Sequence, residues 1–218
     1  MKKNVLLIGA TGATGKEVLR ELQNNDEIRL IHVLHYRSTS IEDREKVFEH
    51  TLPFEKLLDL RLEGIDCVFC CIGTTIKKAG SKERFAQIDR DFVIELGRWA
   101  KIMNVGSFHV ISAMGADKDS AIFYNRVKGE MEEGLIRLNL NSLYIYHPPL
   151  LKAKRDEFRL GESVANAVFG LLSPLMIGAL SKYRPLDVKK MAKKMMQNAL
   201  SCEAGLHYVN SDEMHAVK

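Results

Sequence analysis

A chain of 218 residues suits one large domain that buries roughly 70% of its unfolded surface, and 46% hydrophobic with 28% charged residues is ordinary globular composition. The formal charge of +4 is dispersed along the chain, which excludes the clustered basic face of a nucleic-acid binder. Cys67, Cys70, Cys71 and Cys202 form neither a disulfide framework nor a zinc-ribbon spacing. Cys67 and Cys70 lie three apart in an apolar run and would face opposite sides of a strand. Free core thiols in a reducing cytoplasm are therefore expected, with no metal site.

In chain order, Met1-Lys2-Lys3 precedes an apolar run that stops at Gly9, too early for a secretory leader. Residues 5–8 read as a first buried strand and residues 16–23 as the helix after it. Residues 28–34 make the second strand, and a weaker third spans 46–52. Residues 67–72 form the fourth strand and 108–111 the fifth, with helical patterns over 82–103 and about 120–138. Residues 143–146 give a sixth strand, and beyond it the alternation fades into two helices and a short tail. Residues 163–181 carry no charge, but Asn166, two glycines and Pro174 favour a buried or lid helix over a membrane span.

Short buried strands alternating with helices predict an α/β fold: a Rossmann-type, doubly wound parallel sheet with right-handed crossovers and a small C-terminal helical extension. One domain over 1–218 is expected, with about 147–218 forming the substrate-side extension. The ligand should sit at the C-terminal strand ends, where the strand order reverses.

Gly9-Ala10-Thr11-Gly12-Ala13-Thr14-Gly15 follows the first strand and opens a helix. Dinucleotide binding needs a sharp turn, backbone close to a pyrophosphate and a helix N-terminus aimed at the anion. Gly9, Thr11, Gly12, Ala13, Thr14 and Gly15 are accordingly the predicted phosphate cradle. A triphosphatase P-loop fails twice, because Ala10 and Glu17 stand where glycine and Ser or Thr are required. After the second strand the run Leu34-His35-Tyr36-Arg37-Ser38 has no carboxylate to hold ribose hydroxyls. Arg37 with Ser38 or Thr39 would suit a 2′-phosphate, so NADP is expected ahead of NAD.

Tyr124-Asn125-Arg126-Val127-Lys128 is a Y-x-x-x-K whose bare pattern is cheap in this composition. Its address gives it weight, since it lies on the helix after the fifth strand, which Ser112 ends. Tyr124 and Lys128, four apart, share a helix face. The ammonium would favour the phenolate, letting Tyr124 act as general acid or base on a carbonyl or alcohol, with Ser112 bonded to the same oxygen. Lys128 would also hold the nicotinamide ribose, and the cofactor carries the hydride. The plain alternative is an ordinary helix pair beside a turn serine.

These residues resemble the short-chain dehydrogenase/reductase superfamily in its atypical branch. Several segments are similar to the Tat-interacting-protein-like oxidoreductases: Cys70-Cys71-Ile72-Gly73-Thr74-Thr75, Lys77-Lys78-Ala79-Gly80-Ser81-Lys82, Gly115-Ala116-Asp117, Phe123-Tyr124, Val127-Lys128-Gly129-Glu130, Arg159-Leu160-Gly161-Glu162 and Tyr183-Arg184-Pro185-Leu186. The resemblance implies a Rossmann domain with a small C-terminal extension, the Tyr/Lys pair beside the nicotinamide, and Cys71, Ile72, Gly73 and Thr74 along the cofactor. Three positions depart from that pattern. Ala113 replaces a second serine, His147-Pro148-Pro149 replaces Arg-Pro-Gly, and Pro53 stands where an Asp for the adenine amine is common. Pro149 has no N–H, so a backbone bond from it to the carboxamide is lost.

Lys77, Lys78 and Lys82 lie at the proper end of the sheet to attract an anionic substrate, or simply form a solvated loop. His147 would titrate near neutrality or only pack. The reading is an NADP-dependent oxidoreductase acting on a small carbonyl or alcohol. An NADPH-binding regulator or sensor without turnover is the alternative, and it leaves a protein partner or a homodimer open.

Overall fold

The structure is a computed structural model describing residues 2–36, 41, 45–152 and 183–217. Arg37, Ser38, residues 159–162 and the uncharged segment 163–181 lie outside the described residues. The described chain runs β1 (Lys3–Ile8), α1 (Ala13–Gln23), β2 (Ile28–His35), β3 (Val47–Thr51), a 3₁₀ turn (Phe54–Asp59), β4 (Cys67–Cys70), α2 (Ile76–Ala79) and α3 (Lys82–Ala86). A π-wound turn (Gln87–Asp91) joins α3 to α4 (Phe92–Ile102), followed by β5 (Ser107–Ile111), α5 (Phe123–Arg137) and β6 (Ser142–Tyr146). The last part holds β7 (Leu151–Lys152), β8 (Leu186–Asp187), α6 (Val188–Ser201), β9 (Gly205–Val209) and α7 (Ser211–His215).

Seven strands pair in the order β3-β2-β1-β4-β5-β6-β9, every neighbour parallel. This is the Rossmann-like sheet with flanking helices and a C-terminal helical extension. Strand β9 lies in the stretch read as helices and tail, so the expected ending is corrected. Gly205–Val209 has Leu206 and Tyr208 facing solvent, and such an edge strand lacks the continuous apolar run of a central one. Helix α1 begins at Ala13, three residues before the expected start, with Gly12 as its N-cap.

Alternation along the strands divides the core. Val5, Leu7, Cys67 and Phe69 pack on one face with Val18 and Leu22 of α1 and Met191 and Met195 of α6. Leu6, Ile8, Val68 and Cys70 pack on the other with Leu96 and Trp99 of α4 and Met131 and Leu135 of α5. Cys67 and Cys70 thus point to opposite faces, as a two-residue side-chain period requires. The order reverses between β1 and β4, which carries Gly9 and Cys71, the residues just past these two strands, to one crevice. No helix among the described residues is long and apolar enough to cross a membrane.

Candidate active site

At the crevice, the glycine loop is held by backbone contacts that exclude side chains. Gly9 has φ +85°, and a Cβ there would lie 2.6 Å from the Cys71 carbonyl oxygen. A Cβ on Gly15 would lie 2.0 Å from the Gly9 carbonyl oxygen. The Gly12 N–H donates to the Gly9 carbonyl at 3.0 Å and closes the turn. No side chain caps α1 at Gly12, so the first-turn N–H groups remain available to an anion. Thr11 and Gly12 are exposed and Thr14 is buried. The cradle fits a dinucleotide pyrophosphate. Across the crevice Cys71 and Ile72 are half-buried and Gly73 is exposed.

The second half of the site is built on α5. Tyr124 is 38% exposed, its ring 5.7 Å from that of Phe85. One turn on, Lys128 is buried, with Nζ 2.9 Å from Oδ1 of the buried Asp89. The two groups form a buried ion pair. Burial pulls the Lys128 pKa down, but Asp89 and then Tyr124 and Cys70 hold it above the ordinary value. Gly129 lets α5 press on the turn after β5, since a Cβ would sit 2.2 Å from the Lys118 backbone nitrogen.

Ser112 is buried one residue past β5, and its hydroxyl donates to Glu132 Oε1. His147 Nε2 lies 2.9 Å from the same oxygen. Carboxylate in the middle, serine and histidine outside, is not the order of a nucleophilic triad, in which histidine must stand between. Asp89 and Glu132 are the two site residues that sequence reasoning missed. Glu132 had a signal, because it continues the Tyr124 and Lys128 stripe by four more residues. Asp89 had none, because its inward aim depends on the π turn.

The remaining expectations divide. Lys77, Lys78 and Lys82 are exposed on two short helical turns rather than a plain loop, and Lys82 lies 5.4 Å from the Phe123 ring centroid. Pro149 supplies no N–H, and the Pro148 carbonyl accepts the Met114 N–H at 3.3 Å. Pro53 caps the 3₁₀ turn. Beyond Ser112, Met114, Gly115, His147, Tyr183 and Asn210 to Asp212 line a cleft of about 380 Å³.

Comparison with known proteins agrees with this fold. A family model described as the semialdehyde dehydrogenase NAD-binding domain matches residues 4–90. Protein HTATIP2 of Rattus norvegicus is 32% identical over 207 residues, covering 93% of this chain and 84% of its own. Protein FMP52 of Debaryomyces hansenii, named mitochondrial, is 26% identical over 194 residues, covering 87% and 84%. Among solved structures, MoeE5 in complex with UDP-glucose and NAD superposes with TM-score 0.68 at 14% identity, covering 97% of this chain and 79% of its own. WbmH of Bordetella bronchiseptica with NAD+ gives 0.65 at 14%, covering 98% and 78%. The dTDP-4-dehydrorhamnose reductase of Bacillus anthracis with NADP gives 0.67 at 15%, covering 96% and 75%.

Two expectations are corrected. The preference for NADP is overturned by MoeE5 and WbmH, similar structures that hold NAD, against one with NADP. The expectation rested on the residue types at Arg37 and Ser38 and on a missing carboxylate, and an arginine is common on any surface whether or not it meets a 2′-phosphate. The cytoplasmic expectation is overturned by the mitochondrial names of the fungal relatives. Free thiols report a reducing interior and do not choose between compartments that share it. The chain is an NAD(P)-binding oxidoreductase of the atypical short-chain dehydrogenase/reductases and belongs to the Tat-interacting-protein-like family of HTATIP2.

Proposed function

We propose that the protein is an NAD-dependent oxidoreductase interconverting a small alcohol and its carbonyl, with Tyr124 as the proton-transferring group. The observation that carries this reading is a buried, charged Lys128 one helical turn from a solvent-reaching Tyr124. Gly9, Thr11, Gly12, Ala13, Thr14 and Gly15 would hold the pyrophosphate. Cys71, Ile72, Gly73 and Thr74 would flank the nicotinamide half, with Lys128 on its ribose. Bound there, the cofactor supplies or accepts hydride. Tyr124 gives a proton to the substrate oxygen during reduction and takes it back during oxidation. Ser112 has committed its own proton to Glu132, so it orients a substrate hydroxyl by accepting from it. His147, whose ring nitrogen lies on the Glu132 oxygen that Ser112 also meets, lines a cleft with Tyr183 and Asn210 to Asp212, which supports a substrate-side part for residues 147–218 within one domain.

The test is turnover of NADH with a panel of small carbonyl compounds, in wild type and Tyr124→Phe. The ring is exposed enough for the variant to fold, so turnover should fall at least ~100-fold with NADH binding unchanged. Undiminished turnover would remove Tyr124 from the chemistry. One observation favours a second reading, a cofactor-binding sensor: Pro149 has no N–H, and the neighbouring Pro148 carbonyl is bonded to Met114. NADH binding without turnover across the panel would bring that reading forward.

A further inference from the structure

Asp89 touches both halves of the site. Its side chain is wholly buried, one oxygen 2.9 Å from Lys128 Nζ and the other accepting the Thr74 N–H at 3.0 Å. It sits in the middle of the π-wound turn Gln87–Asp91, and such turns inside α-helices shift the side-chain register. The groups facing the ammonium are Asp89 from this turn, Tyr124 from α5 and Cys70 from the end of β4. Burial pushes the Cys70 thiol up to about 11, so it stays neutral near pH 7. The carboxylate is therefore the charge that answers the lysine.

We propose that Asp89 is a positioning residue: it is the counter-ion that keeps Lys128 charged and aimed, and its second oxygen ties that charge to the Thr74 backbone. The proposal deepens the reading of Tyr124 and Lys128 as the reacting pair, but its test needs neither substrate nor cofactor. A buried lysine without a counter-ion titrates well below its ordinary range, because burial then acts alone. Asparagine at position 89 keeps an acceptor for Thr74 and removes only the charge.

The experiment is a ¹³Cε NMR titration of the lysines in the full-length protein, with the Lys128 signal assigned by its loss in Lys128→Arg. In Asp89→Asn the Lys128 midpoint should fall by about two pH units or more. A folded Asp89→Asn with an unchanged Lys128 midpoint overturns the proposal. If Asp89→Asn does not fold, the double variant Asp89→Asn/Lys128→Met decides. Recovery of folded protein shows that Asp89 serves the lysine, because removing both charges removes the buried mismatch. Continued unfolding, with the Thr74 acceptor kept and the buried lysine charge gone, would show that answering that charge is not what Asp89 does and would overturn the proposal. A parallel NADH titration keeps the two ideas apart: failure of wild type to bind NADH rejects the cofactor reading, while the lysine midpoint still judges Asp89.

Discussion

At the scale of single residues, the site is set by what cannot be added as much as by what is present. A methyl group on Gly15 would meet the Gly9 carbonyl oxygen at 2.0 Å, and both partners are backbone, so the turn itself must move. Gly15→Ala is expected to weaken NADH binding at least ~10-fold and to cost about 1–3 kcal/mol of stability, read by fluorescence titration and urea unfolding. Wild-type affinity in that variant would show that the loop does not grip the cofactor. The same residue scale explains the NADP error. A missing carboxylate at residues 34–38 was visible in the sequence, but absence of an acid is weaker information than presence of a partner.

At the scale of elements, α5 organises the chemistry. Tyr124, Lys128 and Glu132 stand four apart on one face and meet three different partners: solvent and Phe85, Asp89, and the Ser112–His147 pair. Glu132→Ala would leave the buried Ser112 hydroxyl without its acceptor and is expected to cost about 1–3 kcal/mol. Crossed with Ser112→Ala in a double-mutant cycle, it should show a coupling above about 0.5 kcal/mol. Additive effects would mean that the two side chains do not act on each other. Elements also mark where the sequence was legible. Strands β1 and β4 were readable because burial on both faces writes residues 5–8 and 67–70 as unbroken apolar runs, and β2, β5 and β6 because apolar residues still dominate around Arg29, His32 and His109. Strand β9 was not, because half of its side chains face water. The loop glycines and the Tyr124/Lys128 spacing are local and were readable. Asp89, the partner of Lys128, comes from another element and no local pattern contains it, while the Glu132 stripe position was local but its meeting with Ser112 was not.

At the scale of the molecule, the sheet carries a buried polar thread. His109 lies between Tyr146 and Ser107 with both ring nitrogens 3.0 Å from a hydroxyl, and Tyr146 also accepts from Asn198 of α6. Burial, followed by Lys3 and His207, lowers the His109 pKa to about 3, against about 6.5 in an unfolded chain. Between those values the unfolded chain binds the extra proton, so stability falls as the pH drops. From pH 7 to pH 5 this residue alone should remove about 2 kcal/mol. Urea unfolding at the two pH values checks it, and His109→Gln should lose that part of the acid sensitivity. An equal loss in wild type and His109→Gln would show that His109 is not held neutral.

The whole account turns on the crevice between β1 and β4, where the glycine loop, the Gly73 and Thr74 backbone and Lys128 converge. Its most direct test is calorimetric titration of the purified protein with NADH, with NADPH in parallel and Gly15→Ala as control. The account predicts saturable NADH binding that is weakened in the variant. No saturable binding of either dinucleotide would contradict it.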